Sequence, residues 1–278
     1  VPRFALVVAL LTALTACTST PPAPAPAPAS SSTPPPPQTY VSIGDSYATG
    51  FAPGGTGESF AQIVAKQSGL KLINLACNGA TSADLGTKPA CGQDAGGRTQ
   101  LDAAVEALRA TKAGLVTIVI GGNDLAPCAI AQDPLQCATT TVTAITTNVA
   151  AALAELREAA PDVKIVGLTY PDIFLGAWVN PSIPNGKNIA RLSVTMFQDF
   201  NSKIAAVYAE FGAKFADVTN TTGGYGALTD LTQDPKYGRI PASVAKVCAL
   251  TYFCDRTDVH PTPAGHQAIA EAVTAAGR

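Results

Sequence analysis

The sequence predicts an α/β protein, a three-layer sandwich around a central parallel sheet of about five strands with flavodoxin-like connections. Three observations predict it. Five short runs rich in Val, Ile and Leu alternate with segments whose apolar residues recur at three- and four-residue spacing. The strand runs are nearly continuously apolar, as befits strands covered on both faces. The 278 residues, once the ends are set aside, suffice for one large core and leave little room for a second.

The strands are expected at Thr39 to Ile43, Lys71 to Ala76, Leu115 to Ile120, Lys164 to Thr169 and Lys214 to Val218. Helical periodicity marks Glu58 to Gln67, Thr99 to Ala110, Thr139 to Ala160, Asn188 to Phe211 and Pro263 to Ala276, several of them ending at Gly or Pro. The stretches Pro171 to Lys187 and Thr221 to Ala245, loaded with Gly, Pro and Asn, read as loops at the rim of a pocket.

The first 38 residues read as address and tether. Arg3 is a thin basic start, Phe4 to Leu14 are apolar but too short to span a bilayer comfortably, and small residues follow, so 1–16 is expected to be a signal peptide. Val1 in place of Met is read as an alternative start codon. Leu14-Thr15-Ala16-Cys17 resembles the lipobox of bacterial lipoproteins, which implies cleavage before Cys17 and a diacylglycerol on its sulfur; the competing reading is an ordinary signal peptide with an incidental cysteine. Residues 17–38, dominated by Pro, Ala, Ser and Thr, cannot bury a core and favour an extended tether. The domain proper is 39–278.

Seven cysteines less Cys17 leave six in three close-spaced pairs, Cys77 with Cys91, Cys128 with Cys137 and Cys248 with Cys254. Short loops are the easiest to close, so neighbours in sequence are expected to pair, which fits an exported protein. Zinc is the competing use, but there is no CxxC spacing and both histidines sit in one late segment, so no metal is expected. Charged residues are only 14% with a formal net charge of -2 and no Lys/Arg cluster, so no nucleic-acid partner is expected. The sequence contains neither GxxxxGK[ST] nor a GxGxxG after the first strand, and no cofactor is expected; the GxSxG elbow is also absent.

Chemistry gathers at three strand ends. Tyr40-Val41-Ser42-Ile43 runs into Gly44-Asp45-Ser46, placing the Ser46 hydroxyl where open α/β sheets hold ligands. Such a hydroxyl attacks a carbonyl only when a base takes its proton, and His260, in a loop just before the last helix, is the best base available. His266, inside that helix, is expected to be structural. Gly121-Gly122-Asn123-Asp124 follows the third strand and Asn74 to Thr81 the second.

Taken together, Gly44-Asp45-Ser46, Asn78-Gly79, Gly122-Asn123-Asp124 and Asp258-Val259-His260 resemble the SGNH or GDSL family of serine hydrolases over Tyr40 to about Ala276, with cysteine pairs like those of its secreted actinobacterial lipases and esterases. The resemblance implies the SGNH hydrolase fold and a catalytic Ser46 and His260. It also implies an oxyanion hole made of the Ser46 and Gly79 amides and the Asn123 carboxamide. The family pattern has Asp three residues before the histidine, where this chain has Thr257; Asp258 is two before and Asp255 five before. Either Asp258 takes the imidazole Nδ1 proton, because an i, i+2 pair on an extended loop shares a side, or the Thr257 backbone carbonyl orients the ring.

These readings converge on an exported, membrane-tethered carboxylester hydrolase, expected to be monomeric and to act on a small-molecule, lipid or carbohydrate ester. The alternatives are a carbohydrate O-acetylesterase and, from another class, a non-catalytic surface-binding lipoprotein. Phe174, Leu175 and Trp178 are candidates for an apolar acyl site or for packing.

Overall fold

Five strands, each entering the sheet in the same direction, carry the architecture: β1 (Thr39–Gly44), β2 (Lys71–Asn74), β3 (Ala113–Val119), β4 (Ile165–Leu168) and β5 (Lys214–Ala216). They lie in the order β2-β1-β3-β4-β5, all parallel. The computed structural model describes residues 1, 38–92 and 95–278. The expected signal peptide, Cys17 and the tether up to residue 37 lie outside the described residues.

Side chains leave successive strand residues on opposite faces, and each face has its own helices. Val41 and Ile43 of β1, Val116 and Ile118 of β3 and Ile165 of β4 pack with Leu101, Ile145, Leu153 and Ile204 from α2 (Gln100–Ala110), α3 (Pro134–Ala159) and α4 (Gly186–Glu210). The other face sets Tyr40, Leu115, Val119, Val166 and Leu168 against Phe60, Val64, Ile269 and Val273, from α1 (Phe60–Ser68) and α6 (Pro263–Ala276). The result is the helix, sheet, helix sandwich expected from the apolar strand runs. A smaller cluster packs α5 (Ala242–Leu250), through Val244 and Val247, against Leu175 and Ala190. Polar groups buried on the central strands are satisfied within the sheet: the Tyr40 hydroxyl lies 2.7 Å from Thr117 Oγ1, which donates to Ser42 Oγ at 3.2 Å.

The departures from expectation are local. α3 begins at Pro134, five residues before the expected Thr139, because Asp133 caps it by accepting from the Gln136 amide at 3.0 Å and proline suits a first helical turn. The stretch 221–245 is not one loop. It holds a two-stranded hairpin, Leu231–Asp234 with Gly238–Pro241, and the start of α5, which Pro241 precedes. Within 171–187 the residues Ile173–Trp178 form a 3₁₀ segment capped by Asp172. All three cysteine pairs are bonded, with Cα separations of 5.2 Å for Cys77–Cys91, 5.4 Å for Cys128–Cys137 and 5.3 Å for Cys248–Cys254.

Candidate active site

The chain turns from β1 toward β2 on one side and from β3 toward β4 on the other, so a crevice opens beyond the carboxyl ends of β1 and β3. Ser46 lies just past the first of these ends and Asn123 just past the second. Gly44 makes the tight exit possible. Its φ is +137°, a Cβ there would stand 2.0 Å from the Val119 carbonyl oxygen, and Gln100 from α2 clasps both its amide, at 2.7 Å, and its carbonyl, at 3.0 Å. Asp45 then caps the short helix Ser46–Thr49, accepting the Tyr47 amide at 3.0 Å.

His260 is brought to Ser46 from 214 residues away: its Nε2 is 2.9 Å from Ser46 Oγ. Its Nδ1 is 2.9 Å from Asp258 Oδ1, which also accepts the His260 backbone N–H at 2.9 Å. A carboxylate accepts only, so Nδ1 carries the proton and Nε2 is left as the acceptor facing the serine hydroxyl. The ring is held between Phe51, centroids 4.7 Å apart, and a loop pinned by the Tyr47 hydroxyl, which donates to the Val259 carbonyl at 2.6 Å.

Thr257 engages other partners through its amide and hydroxyl, and neither ring nitrogen of His260 pairs with the Thr257 carbonyl. It sits in a left-handed turn with φ +53°, its amide donates to the Phe253 carbonyl at 3.1 Å, and its hydroxyl accepts from Asn180 at 3.1 Å. Asp255 is held at the surface by Lys236 and Tyr237. His266 is buried on α6 with neither ring nitrogen hydrogen-bonded among the described residues, and burial, with a smaller push from His260, brings its pKa down to about 4. It stays neutral inside the helix packing.

The other two turns are wired together. Asn123 spends one amide hydrogen on the Ala80 carbonyl at 2.8 Å, and the neighbouring Asp124 accepts both the amide and the hydroxyl of Ser82, at 2.8 and 2.6 Å. Gly79, immediately before Ala80, sits in a left-handed turn with φ +76° and is exposed. Among the described residues the amides of Ser46 and Gly79 donate to no protein acceptor. Ser46 and Asn123 line one cavity and Gly79 does not.

That cavity, of about 280 Å³, runs from Ser46 between α3 and α4, with walls that include Leu135, Val142, Phe174, Met196, Phe197 and Phe200. Of the three aromatic and aliphatic candidates only Phe174 lines it. Leu175 is fully buried in the smaller core, and Trp178 is covered by Lys187 and Arg191, 5.5 and 5.2 Å from its ring centre. Of the two stretches expected at the rim, 171–187 lines the cavity through Ile173 and Phe174 and 221–245 contributes nothing; the remaining walls come mainly from α3, α4 and the Cys128–Cys137 loop.

Two residues near Ser46 had no role assigned from sequence, although Asp45 is part of the Gly44-Asp45-Ser46 motif; the second, Tyr170, belongs to no motif. Asp45 is buried, and burial raises its carboxyl to about 7 despite the hydrogen bonds of Tyr170 and Tyr47. Tyr170, past the end of β4, gives its hydroxyl to Asp45 Oδ2.

The model of the GDSL-like lipase/acylhydrolase family matches residues 42–268, most of the chain. The chain belongs to that family. It is therefore a carboxylic ester hydrolase of the GDSL type. The fold is similar to a lipase from a goat rumen metagenome (19% identity, TM-score 0.57, covering 86% of this chain and 97% of that one). It is also similar to phospholipase A1 from Streptomyces albidoflavus NA297 (18%, 0.54, 87% and 100%) and to an extracellular lipase from Streptomyces rimosus (19%, 0.53, 86% and 99%). Comparison with curated protein sequences gave no match.

Proposed function

We propose that the chain is an exported serine esterase or lipase that hydrolyses apolar acyl esters through an acyl-enzyme on Ser46. His260 takes the hydroxyl proton as Ser46 attacks the ester carbonyl and returns it to the leaving alcohol; a water then repeats the sequence and releases the acid. Asp258 holds the imidazole in the tautomer this requires and stabilises the imidazolium. The Ser46 and Gly79 amides and the free hydrogen of the Asn123 carboxamide receive the developing oxyanion, and losing such a donor typically costs about 100- to 1000-fold in turnover.

The observation that carries this reading is the placement of the Ser46–His260–Asp258 relay, with its two 2.9 Å side-chain links, at the mouth of a cavity walled by apolar side chains. Each methylene that leaves water for such a cavity is favoured by roughly 0.8 kcal/mol, so the site rewards acyl chains longer than acetyl. An O-acetyl sugar would leave the cavity unfilled, which favours the esterase or lipase reading over the carbohydrate O-acetylesterase. A binder would gain nothing from a histidine poised on a serine.

Export belongs to the same reading, with three disulfides in its support. In it, residues 1–16 are a signal peptide, Cys17 carries the lipid, 17–38 is the tether and 39–278 acts as a monomer. The test of function is p-nitrophenyl esters from acetate to palmitate, beside acetylated sugars, with a serine-reactive fluorophosphonate label. Turnover rising from acetate to longer chains, with labelling abolished by Ser46→Ala, is the expected result. A folded protein that neither turns over an ester nor takes the label sinks it.

A further inference from the structure

Tyr170 joins the two turns on which the esterase reading depends. Its side chain is buried, and its hydroxyl donates to Asp45 Oδ2 while accepting the Gly122 amide at 3.1 Å. Asp45 immediately precedes Ser46, and Gly122 immediately precedes Asn123. A single phenol oxygen thus links the carboxylate under the nucleophile to the backbone beside the proposed oxyanion amide.

The ring is itself fixed. Its edge meets Tyr47, centroids 4.9 Å apart, and its own carbonyl accepts the Thr219 hydroxyl at 2.7 Å. It also lies flush on the Asn123 turn: a Cβ added at Gly122 would come within 3.0 Å of Tyr170 Cζ. The ladder between β1 and β3 ends with the Asp45 amide donating to the Val119 carbonyl at 3.1 Å. Beyond that bond the two backbones part toward separate loops, and the Asp45–Tyr170–Gly122 bridge is what spans them next to the crevice.

We propose that Tyr170 is a positioning residue for catalysis: by bridging Asp45 and Gly122 it sets the spacing between the Ser46 turn and the Asn123 turn, and so the convergence of their donors on one oxyanion. The inference rests on the esterase reading. Donors must lie about 2.7–3.1 Å from the developing oxyanion, and a misplacement of about 1 Å costs on the order of 100-fold. Removal of one oxygen frees both turns together.

The experiment is Tyr170→Phe in the full chain, assayed on soluble p-nitrophenyl butyrate, alone and combined with Asn123→Ala. The expected result is a kcat at least about tenfold lower with KM within about twofold, and a double variant no more than about threefold worse than Asn123→Ala alone, because both changes act on the same donor. A phenol that only stabilises the fold would lower Tm and leave kcat within twofold, or its loss would multiply with that of Asn123→Ala; either outcome overturns the inference. Should Tyr170→Phe not fold, Asp45→Ala removes the bridge from the other side, and an unchanged kcat in that variant overturns it equally. Activity that survives Ser46→Ala would instead defeat the esterase reading, whereas a Ser46-dependent rate indifferent to Tyr170 defeats this inference alone.

Discussion

Replacing Asp258 by Asn tests the relay where the family pattern is broken. In the structure one oxygen, Oδ1, accepts from both the Nδ1 and the backbone N–H of His260 at 2.9 Å, and the two side chains are 27% and 14% exposed. In the proposed mechanism the imidazole becomes a cation within about 4 Å of the carboxylate as Ser46 attacks; at an effective dielectric near 20 that attraction is worth about 4 kcal/mol. Partial exposure screens some of it, so a loss of about 2–4 kcal/mol, or roughly 30- to 1000-fold in kcat, is expected. The amide that replaces the carboxylate can also donate to Nδ1 and so stabilise the wrong tautomer, which pushes the loss to the upper end. Initial rates with p-nitrophenyl butyrate, across pH 6 to 9 and with Tm followed in parallel, measure it. A variant that keeps more than half the parental kcat would refute the reasoning and return the orienting role to the Thr257 carbonyl.

Two further outcomes are expected. Val142→Phe, filling the cavity between α3 and α4, should cut kcat/KM for octanoate by about 100-fold, the worth of some four methylenes, while changing that for acetate less than threefold; equal losses on both esters would remove the cavity from acyl binding. Asp172 is fully buried, and burial raises its carboxyl to about 7 although Ser193 and the Phe174 amide hydrogen-bond to it. The folded protein therefore holds a proton that the unfolded chain releases near pH 4, and the stability this contributes below about pH 4 is lost as pH rises to 7. At about 1.4 kcal/mol per pKa unit the loss is on the order of 4 kcal/mol. Asp172→Asn should accordingly gain about 2–4 kcal/mol on the parent between pH 4.5 and pH 8, read from urea midpoints, and parallel stability curves would contradict it.

The sheet was legible because its signals are local. The three central strands are buried on nearly every residue and read as continuous apolar runs, the edge strands Lys71–Asn74 and Lys214–Ala216 are short and partly exposed, and helix α6 is bounded by Thr262, which accepts the Gly265 amide, and by Gly277. The start of α3 was not, since Asp133-Pro134 reads equally as a turn and as a capped first turn until the chain around it is placed. The hairpin Leu231–Asp234 with Gly238–Pro241 was hidden for the same reason, its strands being only four residues each and holding Asp, Gly and Pro.

The proposed site divides along the same line. Ser46, Asn123 and His260 stand out from sequence because their types and strand-end positions are unusual together, whereas the two-residue repeat of an extended loop made Asp258 one of two candidates beside the Thr257 carbonyl. Tyr170 and Asp45 do not, since a phenol 125 residues from a carboxylate has no pattern that announces their bond.

The sequence by itself therefore determined the parallel α/β framework, the strand ends at which reactive side chains stand and the neighbour pairing of the cysteines, because hydrophobic period, punctuation and loop length act over a few residues. Only the tertiary structure decided which acid faces His260, that α3 and α4 rather than the 221–245 stretch wall the cavity, and that Tyr170 bridges two strand ends. These depend on distances between segments far apart in the chain, which close packing fixes and local preference does not.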